Sequence, residues 1–332
     1  MGSTLLNLKK GVATLSDLAD GGAAYGVPSG KAYWLDTTNG NDNNDGSIEA
    51  PFKTLAYAYA ALRTGYGDTL YYVASSTAAG SAGSVSLTET FTWSKNNTSL
   101  IGVTAETPVS PRARIVQAST ATGVSPMFNV TGFGNRFENI QWFQGVADAT
   151  SLIDVQVTGD RNAFTNCHFA GGGNATQAVD GGASLKLNGA EECVFNNCTI
   201  GVDTIAAATG MTALTFDGSS ARNIFNNCRL ELLAGNSGAV LVELVDATSV
   251  DRWNEFNWCS FFANSVNKAT TIASAFVIPN GHTTTATIFI NYPKSSLGFT
   301  DWDADDRGIL YINTGTITGG GNAGYSVVSA SA

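Results

Sequence analysis

The sequence is poor in charge, in histidine and in proline. Asp, Glu, Lys and Arg make up 13% of the 332 residues, His occurs twice and Pro 7 times. Lys and Arg total 17 against 27 Asp and Glu, a formal charge of −10, and no basic cluster offsets it. That excludes a phosphate-tracking surface, so nucleic acid is not an expected partner. No stretch approaches the roughly 20 apolar residues of a membrane-spanning helix. Met1 to Lys10 carries no basic segment followed by a long apolar run, so no membrane anchor and no export signal are expected. No Cys-x-x-Cys pair occurs, and His168 and His282 are the two imidazoles that could join a zinc site. No metal and no cofactor are expected.

Present instead are 37 glycines and a repeat. Five copies of one short pattern occur: Asn135-Arg136-Phe137-Glu138-Asn139-Ile140, Asn162-Ala163-Phe164-Thr165-Asn166-Cys167, Cys193-Val194-Phe195-Asn196-Asn197-Cys198, Asn223-Ile224-Phe225-Asn226-Asn227-Cys228 and Asn254-Glu255-Phe256-Asn257-Trp258-Cys259. The phenylalanines are 27, 31, 30 and 31 residues apart, and five residues after each stands Trp142, Phe169, Ile200, Leu230 or Phe261. A second track of short alternating strands ends at Val130, Val157, Leu187, Phe216, Val245 and Val277. A period near thirty residues with at least two strands per period predicts an all-β fold, a right-handed single-stranded parallel β-helix.

Stacking explains why each column keeps its residue type. Coils lie ~4.8 Å apart, so each side chain sits on its counterpart one period away. Phe137, Phe164, Phe195, Phe225 and Phe256 are expected to form an interior stack, each contributing roughly 2 kcal/mol by burial. Asn139, Asn166, Asn197 and Asn227 are expected to form a buried amide ladder at a bend, where asparagine tolerates left-handed backbone. On that reading, Asn197→Leu costs roughly 1–3 kcal/mol, and Trp258 marks a change of coil shape. Cys167, Cys198, Cys228 and Cys259 share one column. Disulfides or a metal would fit them, but an interior column of small apolar thiols is the simpler reading. Cys193 stands where the other coils carry asparagine.

Residues 1–30 read as an N-terminal arm or leader, 31–318 as the prism with a capping helix near 51–63, and 319–332 as a Gly-rich tail. The Asn39–Gly46 loop matches the EF-hand spacing at Asn41, Asn43, Asp45 and Gly46, but Phe52 occupies the twelfth position where a bidentate Glu belongs. A turn held by side-chain-to-backbone bonds is the competing reading.

The order Trp34-Leu35-Asp36, the Asn/Asp loop, the amphipathic segment from Pro51 to Leu62 and the strand Thr69-Leu70-Tyr71-Tyr72-Val73 resembles the start of many pectin-lyase-like β-helix proteins. In that superfamily a helix plugs the open end of the prism, which would otherwise expose apolar interior and strand edges. The resemblance covers residues 33 to about 318 and implies the fold. It leaves the chemistry open, because the superfamily holds enzymes and inert structural proteins alike.

A glycosidase needs two carboxylates about 5–10 Å apart. The outward columns Glu138/Thr165/Asn196/Asn226/Asn257, Gln141/His168/Thr199/Arg229/Ser260 and Gln156/Lys186/Thr215 stack no two acids in adjacent coils. Asp154, Asp217, Glu243 and Asp251 remain as acids near loops. The motif series of polygalacturonase-like members is matched only in part by Gly281-His282-Thr283, with Asp305-Asp306 in the wrong order. No catalytic residue is therefore assigned.

The coils also resemble those of phage virion proteins. That resemblance implies a trimeric capsid cement or decoration protein, not an enzyme, made in the host cytoplasm and placed on the outer capsid. Its partners would be two further copies of itself and the major capsid protein, reached through the N-terminal arm or base. The alternative is a tailspike that binds or cleaves host polysaccharide, and a bacterial polysaccharide lyase or hydrolase comes third.

Overall fold

A computed structural model describes residues 30–75, 83–265, 270–281, 286–295, 298–303, 309–313 and the backbone of 325–327. The chain winds into a parallel β-helix. Among the described residues its strands form three sheets of 11, 9 and 8 strands. A middle coil visits them in that order, as with Arg136–Glu138, Ile140–Phe143 and then Ile153–Val157. The repeat thus carries three strands, because one bend residue divides the first track in two.

The register is in step with the period. Phe164 pairs with Phe137 and Phe195, and Phe225 with Phe195 and Phe256. All five rings are fully buried. Neighbouring rings stack at centroid distances of 4.9, 4.8, 4.6 and 4.6 Å, tilted by no more than 10°. Trp142, Phe169, Ile200, Leu230 and Phe261 line the adjoining sheet and are equally buried.

The third sheet corrects the second track. Val130, Val157, Leu187 and Phe216 are in register, but the next interior residue is Leu244, not Val245, which is exposed. In the following coil Phe276 is buried opposite Val242, while Val277 pairs with Glu243. The strand expected to end at Val245 thus ends one residue earlier, at Leu244, while the strand expected to end at Val277 does end there; a one-residue slip moves a side chain to the other face.

The asparagine ladder is also corrected. Asn139, Asn166, Asn197 and Asn227 do occupy the bend, with φ of 56°, 51°, 52° and 52°. Only Asn139 is buried, whereas Asn197 and Asn227 are exposed. Left-handed backbone breaks the strand alternation, so the side chain leaves the interior even though its offset from Phe is even. Trp258 and Tyr292 continue the column at φ 57° and 53°, so the bend keeps its shape where asparagine gives out.

The buried amides are the ones that open each motif. Asn135, Asn162, Asn223 and Asn254 are all at most 2% exposed. The Oδ1 of Asn162 accepts the Asn135 amide at 2.9 Å, and that of Asn223 accepts the Cys193 amide at 3.0 Å. Asn223 Nδ2 donates to Ala190 O at 2.9 Å and to Asn254 Oδ1 at 3.0 Å. Cys193 fills the remaining place in this column with its thiol against Gly159 O. Cys167, Cys198, Cys228 and Cys259 are free thiols in the interior, each donating to the carbonyl of the phenylalanine one coil earlier.

Helix α1, Leu55–Ala61, lies near the N-terminal end of the prism with Leu55 and Ala58 buried. Tyr59 packs its ring on Phe91 and Trp93. Lys95 Nζ closes the C-terminal end of α1, donating to the carbonyls of Tyr59, Ala60 and Leu62. The Asn/Asp loop serves the other end. Asp42 accepts the amides of Lys53 and Thr54 and the Thr54 hydroxyl. Asp45 accepts the Ser47 amide and Asn41 the Asn43 amide, the side-chain-to-backbone pattern of a turn. The arm expected at 1–30 lies outside the described residues but for Gly30. Of the expected tail only Tyr325–Val327 is described, a strand antiparallel to Leu310–Asn313.

Candidate functional site

Acids and bases can work only where the prism offers them to a partner, on the outward columns of its sheets. On the eleven-stranded sheet, Thr165, Asn196, Asn226, Asn257 and Asn291 are in register. Their amides bond along the axis, Asn226 to Asn196 at 3.0 Å, Asn257 to Asn226 at 3.1 Å and Asn291 to Asn257 at 2.9 Å. Ala163, Val194 and Ile224 form the neighbouring half-buried column. On this face Arg136 pairs with Glu138, and the Glu255 carboxylate accepts from Asn291 Nδ2 at 2.8 Å. Beside it, Trp258 and Tyr292 stack at 4.4 Å and 13° while remaining 52% and 40% exposed.

The nine-stranded sheet carries the column Arg114, Gln141, His168, Thr199, Arg229, in register as expected, with His168 and Arg229 two coils apart. His168 is only 4% exposed, and burial, helped by Arg114 and Arg229 against Asp203, drives its pKa down to about 4. Glu231 lies two residues beyond Arg229 and is 5% exposed. Burial, then the Asp203 charge, push its pKa up to about 7, against the pull of Arg229. Glu231, Gly201, Met211 and Thr212 help line a cavity of about 10 Å³, room for about one water. Sequence reasoning missed the approach of Glu231 and Asp203, because Asp203 sits in a loop outside the aligned columns. Glu231 has a pKa suited to proton exchange at neutrality, but no space beside it for a sugar ring.

Of the four acids left open from the sequence, Asp217 and Glu243 both act on Lys186, and Asp154 and Asp251 stand apart from them. Asp154 is fully buried, and burial holds its pKa well above the ordinary value against the Ala170 amide. Asp217 pairs with Lys186 at 2.8 Å. Glu243 is raised by burial and then by Asp180, with Lys186 opposing. Asp251 lies 3.9 Å from Arg252 at the edge of a corner network in which Arg161, Arg222 and Arg252 face Glu191 and Glu192. His282, Thr283, Asp305 and Asp306 lie outside the described residues. Among the described residues no group of three or more His, Cys, Asp or Glu could hold a metal ion, and no helix is long and apolar enough to cross a membrane. A concavity of about 360 Å³ lies between the start of α1 and residues 84–91, lined by Lys53, Thr54, Ser86, Glu89 and Phe91 among others.

Glu231 gives a pH-dependent prediction. Its raised pKa means the folded state holds the proton more tightly than the unfolded chain. The resulting stability is full below the ordinary value of 4.5 and is lost as pH rises through about 7. Glu231→Gln removes the ionisation. The variant should exceed the parent by about 2–3 kcal/mol at about pH 8.5 and match it near pH 4. Urea unfolding at the two pH values checks this; an equal offset at both would contradict it.

Neither a protein-family model nor a curated protein matches the sequence. Solved structures do match the fold. A pectin methylesterase from Aspergillus niger aligns over 86% of this chain and 84% of its own with 14% identity and a TM-score of 0.54. A rhamnogalacturonan lyase aligns over 80% and 68% with 15% identity and a TM-score of 0.53. Pectate lyase Pel9A aligns over 85% and 82% with 14% identity and a TM-score of 0.51. At such identities the likeness is one of fold alone, and the chain has the pectin-lyase-like parallel β-helix fold.

Proposed function

We propose that this chain is a non-enzymatic structural protein of a tailed bacteriophage, a trimeric cement or decoration protein on the outer capsid. The observation that supports it most is the outward face of the eleven-stranded sheet: an uncharged ladder of mutually bonded amides beside Ala163, Val194 and Ile224. An amide both donates and accepts, so such a column can meet its own copy without charge repulsion. Glu231 and Asp154, whose raised pKa values would otherwise suggest catalysis, are buried away from any polymer. A rigid prism that binds assembled capsid but not loose subunits stabilises the shell by mass action. The arm at 1–30 is the proposed capsid contact.

The test is the copy number and position of the protein in purified particles. Many copies locked on the shell lattice, with no sugar released from host glycan, support the proposal. A few copies confined to the tail end it. A stable monomer at micromolar concentration contradicts trimerisation before docking.

A second reading is a polysaccharide-binding or depolymerising tailspike. The exposed Trp258–Tyr292 stack beside Asn257 and Asn291 favours it, since aromatic rings and amides are groups that hold sugars. Depolymerase activity on a host glycan would select it.

A further inference from the structure

The loop 104–112 leaves the eleven-stranded sheet after Val103 and re-enters the nine-stranded sheet at Ala113. Ala105, Glu106, Thr107 and Val109 are exposed. One link from it to the prism wall runs through a histidine. The Ser110 amide donates to His168 Nδ1 at 3.0 Å. Gln141 Nε2 approaches the same nitrogen at 3.2 Å and the Ser110 hydroxyl at 3.4 Å. The other ring nitrogen, Nε2, lies 2.9 Å from Gly201 O.

These partners have fixed polarity. A backbone amide can only donate and a carbonyl can only accept. Nδ1 is therefore the bare nitrogen and Nε2 carries the proton, with the ring neutral. A second proton can enter only at Nδ1, where it would face the Ser110 N–H and the Gln141 amide, two donors already aimed at that atom. Protonation thus turns the attachment of the loop into a repulsion.

We propose that His168 is an acid-operated latch: protonation at Nδ1 expels Ser110 and frees the loop 104–112, uncovering Gln141 and Arg114 while the stacked core stays folded. The charged groups acting on the ring are Arg114 from the preceding coils, Arg229 from the nine-stranded sheet and Asp203 from the loop beyond Gly201. Glu231 adjoins Arg229 at 3.7 Å and feels Asp203, and Glu106 stands exposed on the moving loop. The two arginines oppose protonation and Asp203 favours it, and with burial they set the operating point near pH 4.

Hydrogen exchange of the full chain tests this. From about pH 5 to about pH 3, after correction for intrinsic rates, the Ser110 amide, which donates to His168, should lose protection at least ten-fold while strands around Phe164 and Phe195 keep theirs. Nitrogen NMR of the two imidazoles should show His168 as the Nε2–H tautomer at neutral pH, titrating near pH 4. His168→Gln, which cannot take up the proton, should abolish the loop step. If that variant does not fold, the first two measurements decide. An Nδ1–H tautomer, titration near the ordinary 6.5, simultaneous loss of loop and core protection, or an unchanged step in the variant would each overturn the latch.

Discussion

Phe195→Ala should destabilise the prism by about 3–5 kcal/mol, the range for truncating a buried aromatic ring. The ring is fully buried between Phe164 at 4.8 Å and Phe225 at 4.6 Å, with Phe169 edge-on at 6.0 Å. Its neighbours belong to successive coils that cannot close up independently, because backbone pairing fixes their spacing. The cavity therefore persists, and the loss falls on two coil interfaces at once. Phe195→Leu fills most of the volume and should cost roughly 1–2 kcal/mol. Urea midpoints of the two variants check the ordering. An alanine variant within about 1 kcal/mol of the parent would mean the ring is not interior.

Asn223→Leu should cost about 2–4 kcal/mol, since each buried polar group left without a partner costs roughly 1–3. Leucine removes the acceptor of the Cys193 amide and the donor to Ala190 O and Asn254 Oδ1. These groups lie where water cannot replace the lost bonds, Asn223 and Asn254 both being fully buried. Asn197→Leu makes the informative contrast. Asn197 is exposed, and its loss forfeits one bond to Asn166 and places leucine, which lacks asparagine's local hydrogen bonding, at φ 52°. That penalty should be about 1 kcal/mol. Equal losses at the two sites, read from denaturant melts, would contradict the assignment of which asparagine faces inward.

The two asparagines show where sequence reading succeeds and where it fails. Phe137, Phe164, Phe195, Phe225 and Phe256 were legible because a ring column demands both the residue type and the period. The motif holds asparagine two residues before four of the five phenylalanines and two residues after four of them, and simple alternation sends both columns inward. The bend residue leaves because its positive φ ends the pleat. Nothing in composition separates them, although the replacement of the bend asparagine by Trp258, and the thiol of Cys193 in the other column, point to an outward bend and an inward first position. The slip from Leu244 to Val245 has a similar origin. Leu244 and Val245 are both apolar, so alternation there has two solutions, and only pairing with Phe216 chooses between them.

The candidate site was less legible still. The column Gln141, His168, Thr199, Arg229 is in register as the period predicts, but the burial of Gln141, His168 and Thr199 comes from loops of unequal length. Ser110 reaches His168 from 58 residues away. Asp203 acts on Glu231 from a loop, and Gly201 beside it must be glycine, since a Cβ there would come within 1.8 Å of Glu231 O. Loop-borne juxtapositions carry no period, so no column betrays them.

An experimental density map of the middle coils would test the stacking of equivalent positions most directly. The account predicts one continuous interior file of five phenylalanine rings, nearly parallel and 4.6–4.9 Å apart from centroid to centroid. Rings divided among separate layers, or turned toward solvent, would contradict it.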